Sequence, residues 1–189
     1  RLIQQEQLSK EEAKVVLLQI SNGEFSEIQI ASFLTVFMMR SISVEELEGF
    51  RDALLELCIP VDFNGERVMD LCGTGGDGQN TFNVSTAASF VVAASGIKVT
   101  KHGNYGVSSV SGSSNVLEAM GVKFSNEQGF LDKTMEQANI AILHAPLFHP
   151  AMKNVAPIRK SLALKTFFNM LGPMVNPAKP DLQLVGVYD

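Results

Sequence analysis

Residues 70–86 read DLCGTGGDGQNTFNVST, with four glycines in the six positions 73–78. Glycines let backbone N–H groups approach an anionic ligand without side-chain obstruction. Gly73, Gly75 and Gly78 satisfy G-x-G-x-x-G. A dinucleotide fold also needs a helix opening inside the motif and an acid about twenty residues further on. Here QNTFNVST delays the helix, and Lys98 and Lys101 stand where the acid belongs. No G-K-[ST] follows, which excludes a P-loop. The pieces point to the binding of phosphate oxygens, the alternative being a flexible loop beside ordinary serine caps. Ser85 and Thr86 are expected to cap a helix whose N-terminus attracts phosphate. Thr81 and Asn83 add neutral donors.

Two further stretches converge on the same chemistry. TKHGN (100–104) is expected to end a strand and to bring Lys101 and His102 to the same mouth. SSVSGSS (108–114) offers five serines around one glycine before another helix start. Two hydroxyl-rich helix starts facing each other suit a ligand with two phosphate groups. Asp77 fits less simply: it could repel the ligand, cap its own turn, or bind ribose hydroxyls or a Mg²⁺ that bridges to phosphate. Mg²⁺ is commonly held by few protein oxygens and several phosphate oxygens, and Ser85 could add one. No Ser-His-Asp or Cys-His nucleophile is evident. His102 could assist proton removal or serve as a loop hydrogen-bonder.

The elements that must position these loops follow from local patterns. Ser9 and Glu12, Ser26 and Gln29, and Ser43 and Glu46 each fit a capping box. Leu8, Phe25 and Ile42 precede them and can staple to Ala13, Ile30 and Leu47. Apolar residues follow each cap at helical spacing, so three short helices are expected within residues 8–58. After Pro60 the grammar changes. Strands are expected at Arg67–Leu71, Ile97–Thr100, Val122–Phe124, Ile140–Leu143 and Leu184–Val187. Helices are expected at 86–95, at Ser114–Met120, from Ser125 and Gln128 onward, and around 150–171. Strands alternating with helices imply a mostly parallel sheet, with ligands at the carboxyl ends of its strands. The expected fold is α/β: a helical domain over 1–62, then a parallel α/β domain over 63–189. Residues about 150–171 can pack back on the helices.

Composition narrows the class. The chain has 189 residues and a net charge of −5, which argues against a nucleic-acid partner. Its apolar stretches are too short for a membrane span. Arg1 opens an already amphipathic segment, so no signal peptide is expected. Cys58 and Cys72 give neither a disulfide framework nor metal spacing; Cys72 reads as a small buried residue. The expected compartment is the cytoplasm.

GTGGDGQNTFNVST (73–86), KHGN (101–104), SGSS (111–114), HPAMKNVAPIRK (149–160) and FNMLGPMVNPA (168–178) together resemble the anthranilate phosphoribosyltransferase family. GEFSEIQIASFL (23–34) fits that family's helical region, so the similarity runs nearly the whole chain in order. The resemblance implies transfer of phosphoribose from phosphoribosyl pyrophosphate to the amine of anthranilate, with Mg²⁺, in tryptophan biosynthesis. It implies that Gly73, Gly75, Gly76, Asp77, Thr81, Asn83, Ser85, Thr86, Lys101 and Ser113 bind the donor, with Ser85 a magnesium ligand. Gly73, Asn104, His149 and Arg159 would bind anthranilate. It also implies a homodimer formed through the helical domain.

Three departures stand out. Tyr105 replaces an Arg common after K-H-G-N. LALKT (162–166) replaces L-G-x-R-T, with Ala163 and Lys165. Lys keeps the charge but loses the bidentate fork. Family members also run well beyond the last residue, Asp189, and their magnesium-binding Asp-Glu pair lies in that further part. The chain is therefore expected to be a fragment, or an incompletely represented chain, of a longer enzyme, and need not be active alone. Two rivals are a pyrimidine-nucleoside-phosphorylase-like enzyme and a noncatalytic phosphoribosyl-ligand-binding module. The former's glycine loop typically begins with Lys-Ser-Thr and lacks the N-T-F-N-x-S-T continuation.

Overall fold

The structure is a computed structural model that describes residues 1–75, 81–106 and 111–187. Helices α1 (Lys10–Ser21), α2 (Glu27–Met39) and α3 (Val44–Leu57) each begin at a complete capping box, on Ser9, Ser26 and Ser43. In each, the serine hydroxyl accepts the third N–H while the Glu or Gln there returns to the serine N–H. Such a cap contributes about 1 kcal/mol. A short 3₁₀ turn, Leu2–Gln4, precedes them.

The chain then alternates: β1 (Met69–Gly73), α4 (Val84–Ala94), β2 (Val99–Gly103), α5 (Ser113–Ala119), α6 (Gln128–Ala138), β3 (Ile140–His144) and α7 (Ala145–Phe148). After a 3₁₀ turn over Pro150–Asn154 come α8 (Ala156–Leu162), α9 (Phe168–Leu171), a 3₁₀ turn over Gly172–Met174 and β4 (Leu182–Gly186).

Two compact units result. One joins Arg1–Cys58 to His149–Val175; the other joins Ile59–Phe148 to Asn176–Asp189. In the first, the apolar faces of α1 to α3 enclose Leu17, Leu34 and Phe50 with Val155, Phe167 and Leu171. The Phe50 and Phe167 rings stack at 4.6 Å. The expected helix around 150–171 is broken into short pieces. Pro150, Pro157 and Pro173 each stand at the first or second position of one, where a missing N–H costs nothing.

The second unit is a four-stranded parallel sheet in the order β3-β2-β1-β4. Met69 pairs with Val99 and Leu182, and Val99 with Ile140. Successive side chains point to opposite faces. Leu71 and Val99 pack with Ala93 of α4. Ala141 and Leu143 pack with Leu131 and Met135 of α6. Parallel register puts the carboxyl ends of all four strands on one edge. Val122–Phe124, expected as a strand, is unpaired; the Phe124 ring is drawn instead onto His144, at 4.5 Å.

Candidate active site

The glycine loop leaves the carboxyl end of β1. Gly75 has φ +66°, a left-handed backbone that glycine adopts without steric cost. The Thr74 N–H bonds to Gly186 O at 3.0 Å, tying the loop's root to β4. Gly76 and Asp77, expected to bind the donor, lie outside the described residues, as do Gly78, Ser108 and Ser109.

Helix α4 starts at Val84, two residues earlier than the sequence suggests. Its N-cap is Asn83, which makes no side-chain cap bond. Ser85 and Thr86 therefore lie inside the first turn rather than capping it, a correction with a consequence: their hydroxyls are not consumed by the helix's own N–H groups. Thr86 is buried, and neither its Oγ1 nor Asn83 Nδ2 has a hydrogen-bond partner among the described residues. Unpaired buried polar groups are costly, and two at one helix start fit a ligand that supplies the missing partners. Thr81 is exposed beside them.

Lys101 is only 2% exposed. Its Nζ donates to Leu71 O at 2.8 Å and to Ser85 Oγ at 3.5 Å. Burial pushes its pKa below the usual lysine range, while Asp70 and Cys72 favour the charged form. Sequence reasoning gave Asp70 no role. It is fully buried on β1. Its Oδ1 accepts the His102 N–H at 3.3 Å, and its Oδ2 accepts Gln183 Nε2 at 3.4 Å. Burial raises its pKa, against the hydrogen bonds from Asn176 and the His102 N–H and the charge of Lys101. Asn176 Nδ2 also donates to Thr100 O at 2.8 Å. An acid in an otherwise apolar strand was the available signal. Cys72 is buried, and burial first and Asp70 second push its thiol up to about 12, leaving it an inert thiol. His102 is 7% exposed within β2, enclosed by the sheet rather than open at its edge.

The loop after β2 is fastened to the start of α5. Asn104 O accepts the Ser114 N–H at 3.1 Å and the Ser113 hydroxyl at 3.3 Å. Asn115 Oδ1 accepts the N–H groups of Gly106 (3.0 Å) and Gly112 (2.9 Å). A Cβ on Gly112 would collide with the backbone of Asn104, Tyr105 and Gly106, so only glycine permits this approach. The structure thus pairs Ser85 with Lys101, and Ser113 with Asn104.

The remaining expected site residues belong to the helical unit. His149 is buried just before the Pro150–Asn154 turn. Arg159 lies on α8, where an NH2 group donates to Asn169 Oδ1 at 3.1 Å and the guanidinium sits 5.2 Å from the Phe168 ring centre. Burial lowers its pKa to about 10, which leaves it cationic at neutral pH. Lys165 is exposed. No group of three or more His, Cys, Asp or Glu side chains among the described residues could hold a metal ion. No helix among them is long and apolar enough to cross a membrane.

Comparison with known proteins gives this architecture a family. Residues 65–189 match the glycosyl transferase family a/b domain, and residues 1–58 match that family's helical bundle domain. The anthranilate phosphoribosyltransferase of Christiangramia forsetii is 70% identical over 188 residues, covering 100% of this chain and 57% of the relative. That of Bacteroides thetaiotaomicron is 59% identical, again over 100% of this chain and 57% of the relative. The chain thus spans 57% of the length of these curated relatives. The crystal structure of anthranilate phosphoribosyltransferase from Thermus thermophilus superposes with a TM-score of 0.89 at 38% identity, covering 100% of this chain and 57% of that one. The Saccharomyces cerevisiae enzyme in complex with PRPP and Mg superposes with a TM-score of 0.84 at 31% identity, covering 96% and 55%. A helical bundle domain joined to a parallel a/b domain, each matched by its own model, shows that the chain belongs to the glycosyl transferase family.

Proposed function

We propose that the protein transfers phosphoribose from phosphoribosyl pyrophosphate to the amine of anthranilate and releases pyrophosphate, a step of tryptophan biosynthesis. The observation that carries this reading is the helix start of α4. There Ser85 is held by the buried cation Lys101, and Asn83 and Thr86 present polar atoms with no partner among the described residues. Curated relatives at 59% and 70% identity bear the matching name.

The chemistry asks for positioning and charge neutralisation. Breaking the bond at C1 of the ribose puts positive charge on the sugar and negative charge on the pyrophosphate. Backbone N–H groups of Gly73 and Gly75, with Gly76, Asp77, Thr81, Asn83, Ser85, Thr86, Lys101 and Ser113, are the proposed donor site. Such groups act most strongly where charge develops during the reaction. Gly73, Asn104, His149 and Arg159 are the proposed acceptor residues. Arg159 suits a carboxylate, which its planar guanidinium can grip through two parallel bonds.

Magnesium fits the donor set in one way. Ser85 Oγ offers a single neutral oxygen and no acid cluster accompanies it among the described residues, so the ion would be held mainly by pyrophosphate oxygens. When bound, it neutralises the leaving group. We also infer a cytoplasmic homodimer formed through the helical unit. That unit carries an apolar groove of about 470 Å³ lined by Leu2, Ile3, Val16, Phe25, Phe33 and Val36.

The test is the full-length protein with phosphoribosyl pyrophosphate, Mg²⁺ and anthranilate, followed by the loss of anthranilate fluorescence. Turnover is expected, and Ser85→Ala should shift the Mg²⁺ dependence more than the anthranilate KM. Phosphate-dependent cleavage of thymidine or uridine, or ligand binding without turnover, overturns the reading.

A further inference from the structure

The proposed donor and acceptor groups leave one buried polar cluster unexplained. His144 ends β3 and is 5% exposed, and Ser114 is 1% exposed. His144 Nδ1 lies 2.8 Å from Ser114 Oγ. The imidazole stacks on Phe124 at 4.5 Å with a 17° tilt, and the Tyr105 ring meets it edge-on at 4.8 Å. Tyr105 Oη in turn reaches Glu118 Oε1 at 3.4 Å, one helical turn beyond Ser114 on the same face of α5.

This cluster joins three elements at one point. Ser114 is held by His144 from β3 through its hydroxyl, while its own N–H holds Asn104 O at 3.1 Å. Tyr105, the residue after Asn104, leans on the same imidazole. An aromatic ring alone would fill the slot beside Phe124. An imidazole there must be desolvated, which is unfavourable unless its nitrogen is bonded. The bond it makes goes to the residue that fixes the Asn104 backbone, beside Ser113.

We propose that His144 is a positioning residue that locks Ser114 and Tyr105, and through them holds the Asn104 loop in register with the helix start bearing Ser113. Deleting the contact loosens that loop without removing any group that touches a substrate. The catalytic part of this inference rests on the anthranilate phosphoribosyltransferase reading; the structural part does not.

The test uses three variants of the full-length protein. His144→Phe keeps the stack and removes the bond to Ser114. Ser114→Ala removes the same bond from the other side. His144→Asn places an amide atom near the position of Nδ1. In hydrogen exchange, the Ser114 and Gly106 amides are expected to exchange about tenfold faster in His144→Phe and Ser114→Ala, with the rates in α6 unchanged. His144→Asn should restore most of the protection. The double variant His144→Phe/Ser114→Ala should lose no more than either single, the signature of one shared contact. In kinetics, the anthranilate KM should rise about fivefold or more, with a smaller change in kcat. Unchanged exchange at Ser114 and Gly106, or additive losses in the double variant, overturns the proposal. If the parent protein has no transferase activity, the functional reading fails and the exchange measurements still decide this one. If His144→Phe does not fold, Ser114→Ala carries the same test.

Discussion

The Nζ of Lys101 reaches Ser85 Oγ at 3.5 Å and Leu71 O at 2.8 Å, so one buried cation ties β2 to the root of the glycine loop and to the first turn of α4. In the proposed donor site, Lys101 therefore also holds other groups in place. Lys101→Met should raise the KM for phosphoribosyl pyrophosphate at least tenfold and change the anthranilate KM less. The pH dependence follows from the depressed pKa, caused first by burial. Lys101 loses its charge as pH rises through a value below the usual lysine range. Donor affinity should fall on that alkaline limb, and the limb should vanish in Lys101→Met. Stability runs the opposite way: the folded chain binds this proton less tightly than the unfolded one, so this group's contribution to stability rises with pH across the same window. Initial rates from pH 6 to 10 with donor varied decide the first point.

Arg159 offers the sharpest test of the acceptor assignment. Its pKa, lowered by burial to about 10, leaves the guanidinium charged at neutral pH, and Asn169 already fixes one of its amino groups. Arg159→Ala should raise the anthranilate KM ten- to a hundredfold, since a charge-assisted hydrogen bond contributes roughly 1.5–3 kcal/mol. Donor KM should hardly move. Steady-state kinetics with both substrates varied would settle it, and a donor defect with normal anthranilate use would reverse the assignment.

How far these sites were legible in the sequence depends on the range of the interaction. The capping boxes on Ser9, Ser26 and Ser43 involve partners three residues apart, so a local pattern suffices. The parallel sheet follows from the alternation of strands and helices. Ser85, expected as a helix cap, lies inside the first turn of α4, because helix ends are set by backbone geometry that side-chain type records only loosely. Asp70 and His144 escaped for a different reason. Their partners, Gln183 and Ser114, are 113 and 30 residues away, and no spacing rule links positions brought together by sheet order. Val122–Phe124 has strand-like composition, yet it pairs with no strand among the described residues, and the Phe124 ring stacks on His144 instead.

Glu46 predicts the acid sensitivity of the helical unit. It is fully buried, and its carboxylate accepts the N–H groups of Leu8 and Ser43, both at 2.9 Å, and Arg40 NH1 at 2.9 Å and NH2 at 2.5 Å. Burial alone would raise its pKa; the bonds from Arg40, Ser43 and Leu8 outweigh it and hold the carboxyl below its usual range. A depressed carboxylate contributes stability that is present above the unfolded pKa and lost as pH falls through the folded one. Glu46→Gln should destabilise the protein by about 3–5 kcal/mol at pH 7, because it strands the Arg40 cation. It should also lose less further stability between pH 5 and pH 3 than the parent does. Urea melts at both ends of that range provide the comparison; equal stabilities at pH 7 would contradict the role given to the pair.

Ala163 occupies a position where its side chain is a liability. It closes α8 with φ +52° and ψ +27°, a left-handed conformation, and its N–H bonds to Arg159 O at 3.1 Å. Helices commonly end on such a residue, and glycine is favoured there because a Cβ meets the following carbonyl. The related L-G-x-R-T pattern has glycine at this place, whereas this chain carries Ala163 and then Lys165 two residues on. Ala163→Gly should therefore relieve strain in the folded state. Glycine also gives the unfolded chain more freedom, which offsets part of the gain. With left-handed alanine costing roughly 1–2 kcal/mol and the entropy term about 0.4–1 kcal/mol, a net stabilisation of about 0.5–1 kcal/mol is expected. Chemical denaturation should show a higher midpoint at an unchanged slope. Because Arg159 O is the acceptor of this closing bond, the substitution should leave the Arg159 side chain in place and the anthranilate KM within about twofold of the parent. A lowered midpoint would mean that the left-handed turn is held by its surroundings at no cost to alanine, and a large KM change would mean that the end of α8 sets where the Arg159 guanidinium lies.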